Sequence, residues 1–214
     1  MKVTVADGNF VIAVDLGMQV DPTACAVVER QIEIVERGFD EPEYRDHFVV
    51  RALRRWALQT SYDDVVADVA GLVRARGLQD AVIALDLTGP GRLAGRVFIE
   101  AYLEGKLGTR YPWAYTITGA QTPSSGGHVA KRDLVTNALV QFNRGRVHIP
   151  PDIPYAAVLR DELAGYSRRV TASGVSIFEN GSRDAPHDDL VFALMLALYV
   201  KTGLPESCRV FTPV

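Results

Sequence analysis

Apolar and polar positions change period several times along the chain, and each change marks an element. Phe10 to Leu16 is apolar except for Asp15, and after a turn over Gly17 to Pro22 a β-rich run extends from Thr23 to Ile34. Together they predict two antiparallel strands. His47 to Leu58 mixes β-branched, aromatic and Arg residues and predicts a third strand. Ser61, three residues before Asp64, has the spacing of a capping box, and Val65, Val66, Val69, Leu72 and Val73 follow at helical intervals toward Gly77. Ala81 to Leu85 is a short apolar run ending in Asp86. Thr88, Gly89, Pro90 and Gly91 form a turn before a helical pattern from Leu93 to Leu103. That order, strand then glycine-rich turn then helix, begins a parallel α/β unit. A strand is predicted over Trp113 to Thr118, a polar loop over Gly119 to Gly127 and a helix over Lys131 to Phe142. A short strand from Arg146 to Ile149 and a helix from Ala156 to Leu163 come next. Alternating runs from Arg168 to Phe178 around Ser173-Gly174 predict a β-hairpin. Pro186 opens a last helix with Asp188 and Asp189 in its first turn and an apolar run from Leu190 to Val200 behind them.

Composition narrows the class without choosing a function. The 214 residues are 48% apolar and 23% charged, with 26 acids against 23 bases and a net charge of -3, which is ordinary globular usage. Residues 1–214 are expected to form one domain, because no linker-like stretch divides them. The Leu190 to Val200 run falls short of the about 20 residues a bilayer requires, and the first ten residues lack a basic start and apolar stretch, so a cytosolic protein is expected. Cys25 and Cys208 have no CxxC spacing and read as reduced structural thiols.

Three acidic positions share a placement. Asp15 and Asp86 each end an apolar strand, and Asp188-Asp189 start an apolar helix. Strand ends and a helix N-terminus can converge on one crevice of an α/β sheet. Carboxylates gathered there repel until one takes up a proton or a cation neutralises them. An all-oxygen set suits Mg²⁺ or Mn²⁺, and two such ions about 3.5–4 Å apart can assist displacement at a phosphodiester. Phosphoryl chemistry on nucleic acid is therefore the leading expectation. Acids in a first helical turn also complement the helix dipole, and an Asp after a strand can simply start a turn.

The segments Val11-Ile-Ala-Val-Asp15-Leu-Gly, Val82-Ile-Ala-Leu-Asp86-Leu-Thr-Gly, Lys131-Arg-Asp-Leu-Val and His187-Asp-Asp-Leu-Val-Phe-Ala-Leu resemble the nuclease domain of the large terminase subunit of tailed bacteriophages. The resemblance covers nearly the whole chain. It implies an RNase H-like α/β fold, with a central mixed five-stranded sheet flanked by helices and a C-terminal β-hairpin. It also implies a hydrolase that cuts concatemeric viral DNA during genome packaging, with two Mg²⁺ or Mn²⁺ ions and little sequence specificity. By the same resemblance Asp15, Asp86 and Asp189 match the catalytic metal ligands, Asp188 stands beside them, and Asp21 matches an additional acid. The hairpin resembles one that adjusts DNA access. Double-stranded DNA, a packaging ATPase domain or subunit, the portal and the small terminase subunit are the implied partners, in the cytoplasm of an infected bacterium.

The sequence contains no GxxxxGK[ST] phosphate loop, so the packaging motor is expected to lie outside this chain, whether the nuclease is an excised domain or separately encoded. Lys131, Arg132, Arg144, Arg146, Arg168 and Arg169 are candidate DNA-phosphate contacts. A Holliday-junction resolvase or another RNase H-like nuclease would use the same acids, and a non-catalytic DNA-docking module would keep them only as caps and turns.

Overall fold

The computed structural model describes residues 2–17, 21–36, 41–75, 77–89, 91–119, 127–170, 176–180 and 187–200. Three long strands come first: β1 (Lys2–Asp15), β2 (Ala24–Glu36) and β3 (Glu43–Arg55), joined as antiparallel neighbours. Helix α1 (Tyr62–Ala75) leads to β4 (Val82–Asp86), which lies parallel to β1 on its other edge. Helix α2 (Gly91–Leu103), β5 (Trp113–Thr118), β6 (His128–Ala130), α3 (Lys131–Asn143) and β7 (Val147–His148) follow, then α4 (Ala156–Gly165), a hairpin of β8 (Tyr166–Val170) and β9 (Ser176–Asn180), and α5 (Asp189–Tyr199). The main sheet runs β6-β5-β4-β1-β2-β3-β7.

Seven strands replace the five that the resemblance implied. β7, two residues long, is the short strand predicted over 146–149, whereas β6, three residues long, was not predicted; they attach in parallel to the outer edges of β3 and β5. An edge strand carries unpaired N–H and C=O groups, so a passing segment gains hydrogen bonds by joining it. The first strand also begins eight residues earlier than the apolar run suggested. Its outer half pairs with β2 beyond a register irregularity between Ala6 and Asn9. Gly8 lies at that break, where a Cβ would stand 1.8 Å from the Arg30 carbonyl oxygen, so only glycine permits the close approach.

Strand periodicity divides the interior into two layers. Val11 and Ala13 of β1 pack with Ala24 and Ala26 of β2, Val82 and Ala84 of β4, and helices α3, α4 and α5. The intervening Ile12 and Val14 point to the opposite face, against Val65, Val66 and Val69 of α1 and Ala94 and Phe98 of α2. The α1 start follows its sequence: Ser61 Oγ accepts the Asp64 N–H at 3.1 Å, and its hydroxyl donates to Asp64 Oδ2 at 2.7 Å. Gly77 follows the helix at a φ of 65°. Helix α5 is apolar nearly all round because the sheet lies on one side and α3 and α4 on others; Leu190, Leu194 and Leu196 are fully buried. No helix among the described residues is long and apolar enough to cross a membrane.

Candidate active site

Parallel pairing of β1 with β4 sets Asp15 directly beside Asp86. Each is two residues beyond an alanine of the α5-facing layer, so period two aims both carboxylates at the face that α5 covers. Antiparallel pairing continues the row, from Asp15 to Ala24 of β2 and from Ala24 to Arg55 of β3. Helix α5 starts above this row with Asp189 as its first residue. Asp15, Asp86, Asp188 and Asp189 line one cavity of about 690 Å³, with Asp21 also on its wall.

Local hydrogen bonds fix individual acids. The Thr88 N–H donates to Asp86 Oδ1 at 2.7 Å and the Thr88 hydroxyl donates to the same oxygen, while Thr88 Oγ1 accepts the Ile117 N–H at 2.7 Å. This tie between the β4 turn and β5 orients the Asp86 carboxylate. Asp188 occupies the α5 N-cap, yet its side chain makes no capping hydrogen bond. The helix-cap explanation of that residue therefore lacks its defining contact. Asp189, 3% exposed, receives Arg55 Nε on Oδ2 at 2.6 Å, whereas its buried Oδ1 has no hydrogen-bond partner among the described residues.

The electrostatics register the crowding. Burial, followed by the charges of Asp86, Asp189, Asp188 and Asp21, lifts the Asp15 carboxyl well above the ordinary carboxylate range. Asp86 is also raised by burial, against the opposing Thr88 hydrogen bonds. Burial raises Asp188, with Lys131 opposing and Asp189 and Asp21 adding to the rise; burial raises Asp189 against the pull of Arg55. Carboxylates in this state gain from a cation between them. Among the described residues, no group of three or more acidic, His or Cys side chains is arranged to hold a metal ion. The unpartnered Asp189 oxygen, the capless Asp188 and the purely oxygen donor set fit hard divalent cations rather than soft ones.

Of the basic candidates, Lys131 lines the cavity, with Nζ 4.5 Å from the Phe192 ring centroid. Arg132 pairs with Asp133 at 3.5 Å. Arg144 and Arg146 stand beyond the opposite end of the 13-residue α3, roughly 20 Å along its axis from Lys131. The side chains of Arg168 and Arg169, and the hairpin tip at 171–175, lie outside the described residues, as do Cys208 and Pro186. Asp21 is exposed, with Oδ1 3.9 Å from His187 Nδ1.

Sequence reasoning missed Arg55 and Glu162. Arg55 ends β3 in the same row as the acids, and Glu162 belongs to the buried stripe Ala156, Leu159 and Glu162 of α4. An acid on an apolar helical stripe was the available signal.

No protein-family model matches the chain, and no curated protein does. Similarity appears in three dimensions. The large terminase nuclease from thermophilic phage G20c superimposes with a TM-score of 0.59 at 22% identity, over 89% of this chain and 81% of that one. This chain has the RNase H-like fold of a terminase nuclease domain. The human cytomegalovirus terminase nuclease domain, soaked with Mn and bound to an inhibitor, is similar with a TM-score of 0.51 at 15% identity, covering 90% and 83% of the two chains. A second structure of that viral domain, soaked with Mn, gives a TM-score of 0.50 at 15% identity over 90% and 82%.

Proposed function

We propose that residues 1–214 form one metal-dependent endonuclease domain that hydrolyses phosphodiesters of double-stranded DNA. The observation that carries this reading is the convergence of Asp15, Asp86, Asp188 and Asp189 on one cavity, with a buried Asp189 oxygen that has no partner among the described residues. The terminase nuclease fold supports it. Asp15, Asp86 and Asp189, with Asp188 beside them, would hold two Mg²⁺ or Mn²⁺ ions, which would neutralise the carboxylates, acidify a water and offset charge on the phosphate.

The chain's own residues prepare that chemistry. Thr88 holds Asp86 in one orientation, and the parallel pairing of β1 with β4 sets Asp15 beside it. Lys131 supplies a positive charge on a wall otherwise rich in acids and is the first candidate for a DNA phosphate. Arg132, Arg144 and Arg146 would extend the contact along α3, and Arg168 and Arg169 along the hairpin. Contacts of that kind read the backbone rather than the bases, so cleavage should show little sequence preference. Asp21 is positioned at the rim to join the metal set when cations are bound.

The packaging role belongs to the same reading: cutting of concatemeric viral DNA, with the ATPase supplied by another domain or subunit and the portal and small terminase subunit as partners, in the cytoplasm of an infected bacterium. Supercoiled-plasmid cleavage tests the chemistry. Nicking is expected in Mn²⁺ or Mg²⁺ and none in EDTA. Asp15→Asn and Asp189→Asn should each lower the rate on the order of 10³-fold, the several kcal/mol that metal-assisted charge stabilisation supplies. Cleavage that persists in either variant overturns the assignment.

A further inference from the structure

Arg55 is clamped between two acids that come from different helices. Its Nε donates to Asp189 Oδ2 at 2.6 Å, and Nη2 donates to Glu162 Oε1. Glu162 is 1% exposed, and its second oxygen accepts the Val191 N–H at 3.3 Å, within the helix that Asp189 begins. The guanidinium is a planar fork, so fixing two of its nitrogens fixes its plane. Ala24, between Asp15 and Arg55 in the row across the sheet, presents only a methyl group and leaves Arg55 room to reach α5. The consequence falls on Asp189. Arg55 orients the carboxylate through Oδ2, and Oδ1 has no hydrogen-bond partner among the described residues.

We infer that Arg55, held by Glu162, is a positioning residue that presents Asp189 to a divalent cation through Oδ1 alone. This rests on the metal-site reading above. Partners that orient a metal ligand generally affect affinity as strongly as a modest change in the ligand itself. A plain structural ion pair stapling β3, α4 and α5 would instead act on stability and leave metal binding dependent on it only through folding. The two roles separate because positioning acts through Asp189 and nothing else.

Equilibrium Mn²⁺ binding by the full chain, read from the electron paramagnetic resonance signal of the free ion, tests the inference without any turnover. Arg55→Gln should weaken Mn²⁺ binding about 10- to 100-fold, and Asp189→Asn should do so at least as much. In the double variant the Arg55→Gln change should add nothing to Asp189→Asn, since the group it positions is already altered. Arg55→Lys keeps the charge but not the fork and should recover only part of the affinity. Glu162→Gln should cause a smaller loss of the same sign. Wild-type affinity in Arg55→Gln, or an equal loss in both the native and Asp189→Asn backgrounds, overturns the inference while leaving the metal site standing. Absence of Mn²⁺ binding by the wild-type chain overturns the metal site itself. Should Arg55→Gln fail to fold by circular dichroism, Arg55→Lys and Glu162→Gln decide the matter with the same readout.

Discussion

On β2 and β3 the charges alternate in sign across the strands: Arg30 Nε donates to Asp46 at 2.9 Å, Arg51 Nε to Glu29 at 2.6 Å, and Glu33 Oε2 stands 3.2 Å from His47 Nε2. Where β1 and β4 end, Asp15 sits beside Asp86, with Asp188 and Asp189 lining the same cavity. One sheet thus carries a neutralised surface and an acidic pocket a few residues apart. Cross-strand pairs of opposite charge each contribute a few tenths of a kcal/mol to about 1, and like charges cost a similar amount or more when buried. A fold selected for stability alone would not place acids opposite acids. Local conflict of this kind marks where a protein's surface is shaped for a ligand rather than for itself.

The largest stability change should come from relieving the acidic end. Asp15→Asn keeps the shape and removes one acid from the crowded cavity, and should stabilise the metal-free protein by about 1–2 kcal/mol in thermal melts at neutral pH in EDTA. The sign follows from proton uptake. Asp15 holds its proton to higher pH when folded than when unfolded. Its favourable contribution is therefore complete below the ordinary carboxylate range and is lost as pH rises through the folded value. Asp86, Asp188 and Asp189 are shifted in the same direction, and Glu162 is pushed up to about 7 by burial. Metal-free stability should accordingly fall between about pH 4 and pH 8, with a shallower slope in Asp15→Asn. Mn²⁺ should raise the wild-type melting temperature and have much less effect on the variant. A wild-type melting temperature that rises across this pH range would contradict the acidic-pocket electrostatics.

A change of similar size and opposite sign is expected at the tether. Thr88→Val removes the hydroxyl that donates to Asp86 and accepts from Ile117 N–H. It should cost about 1–2 kcal/mol by urea denaturation, and plasmid nicking should fall as Asp86 loses its fixed orientation. The smallest effect belongs to the paired surface. Asp46→Ala breaks its ion pair with Arg30, and both side chains are partly solvated, so it should cost at most about 1 kcal/mol and leave Mn²⁺ affinity and nicking unchanged. A metal effect there would remove the distinction between the two ends of the sheet.

The alternation of Val11, Ala13 and Asp15, the matching Val82, Ala84 and Asp86, and the apolar run after Asp189 are local patterns. Strand and helix periods therefore identified the acids at the strand ends and at the start of the last helix, whereas the mixed sheet was implied by the family resemblance. The Ser61 cap was legible for the same reason, since its partner is three residues away. Edge strand β6 was less legible, because three residues carry no period and what stabilises it is a neighbour's open edge, whereas β7 lies within the short strand predicted over 146–149. The Arg55 clamp was least legible. Its partners Glu162 and Asp189 are 107 and 134 residues away along the chain, and only the packing of α4 and α5 over β3 decides that an arginine meets them. Sequence alone determined which residues could bear the chemistry, because side-chain type and local period are written in it. Tertiary structure alone decided which acids remain uncompensated and which oxygen of Asp189 is free, because those depend on the through-space neighbours that balance each charge.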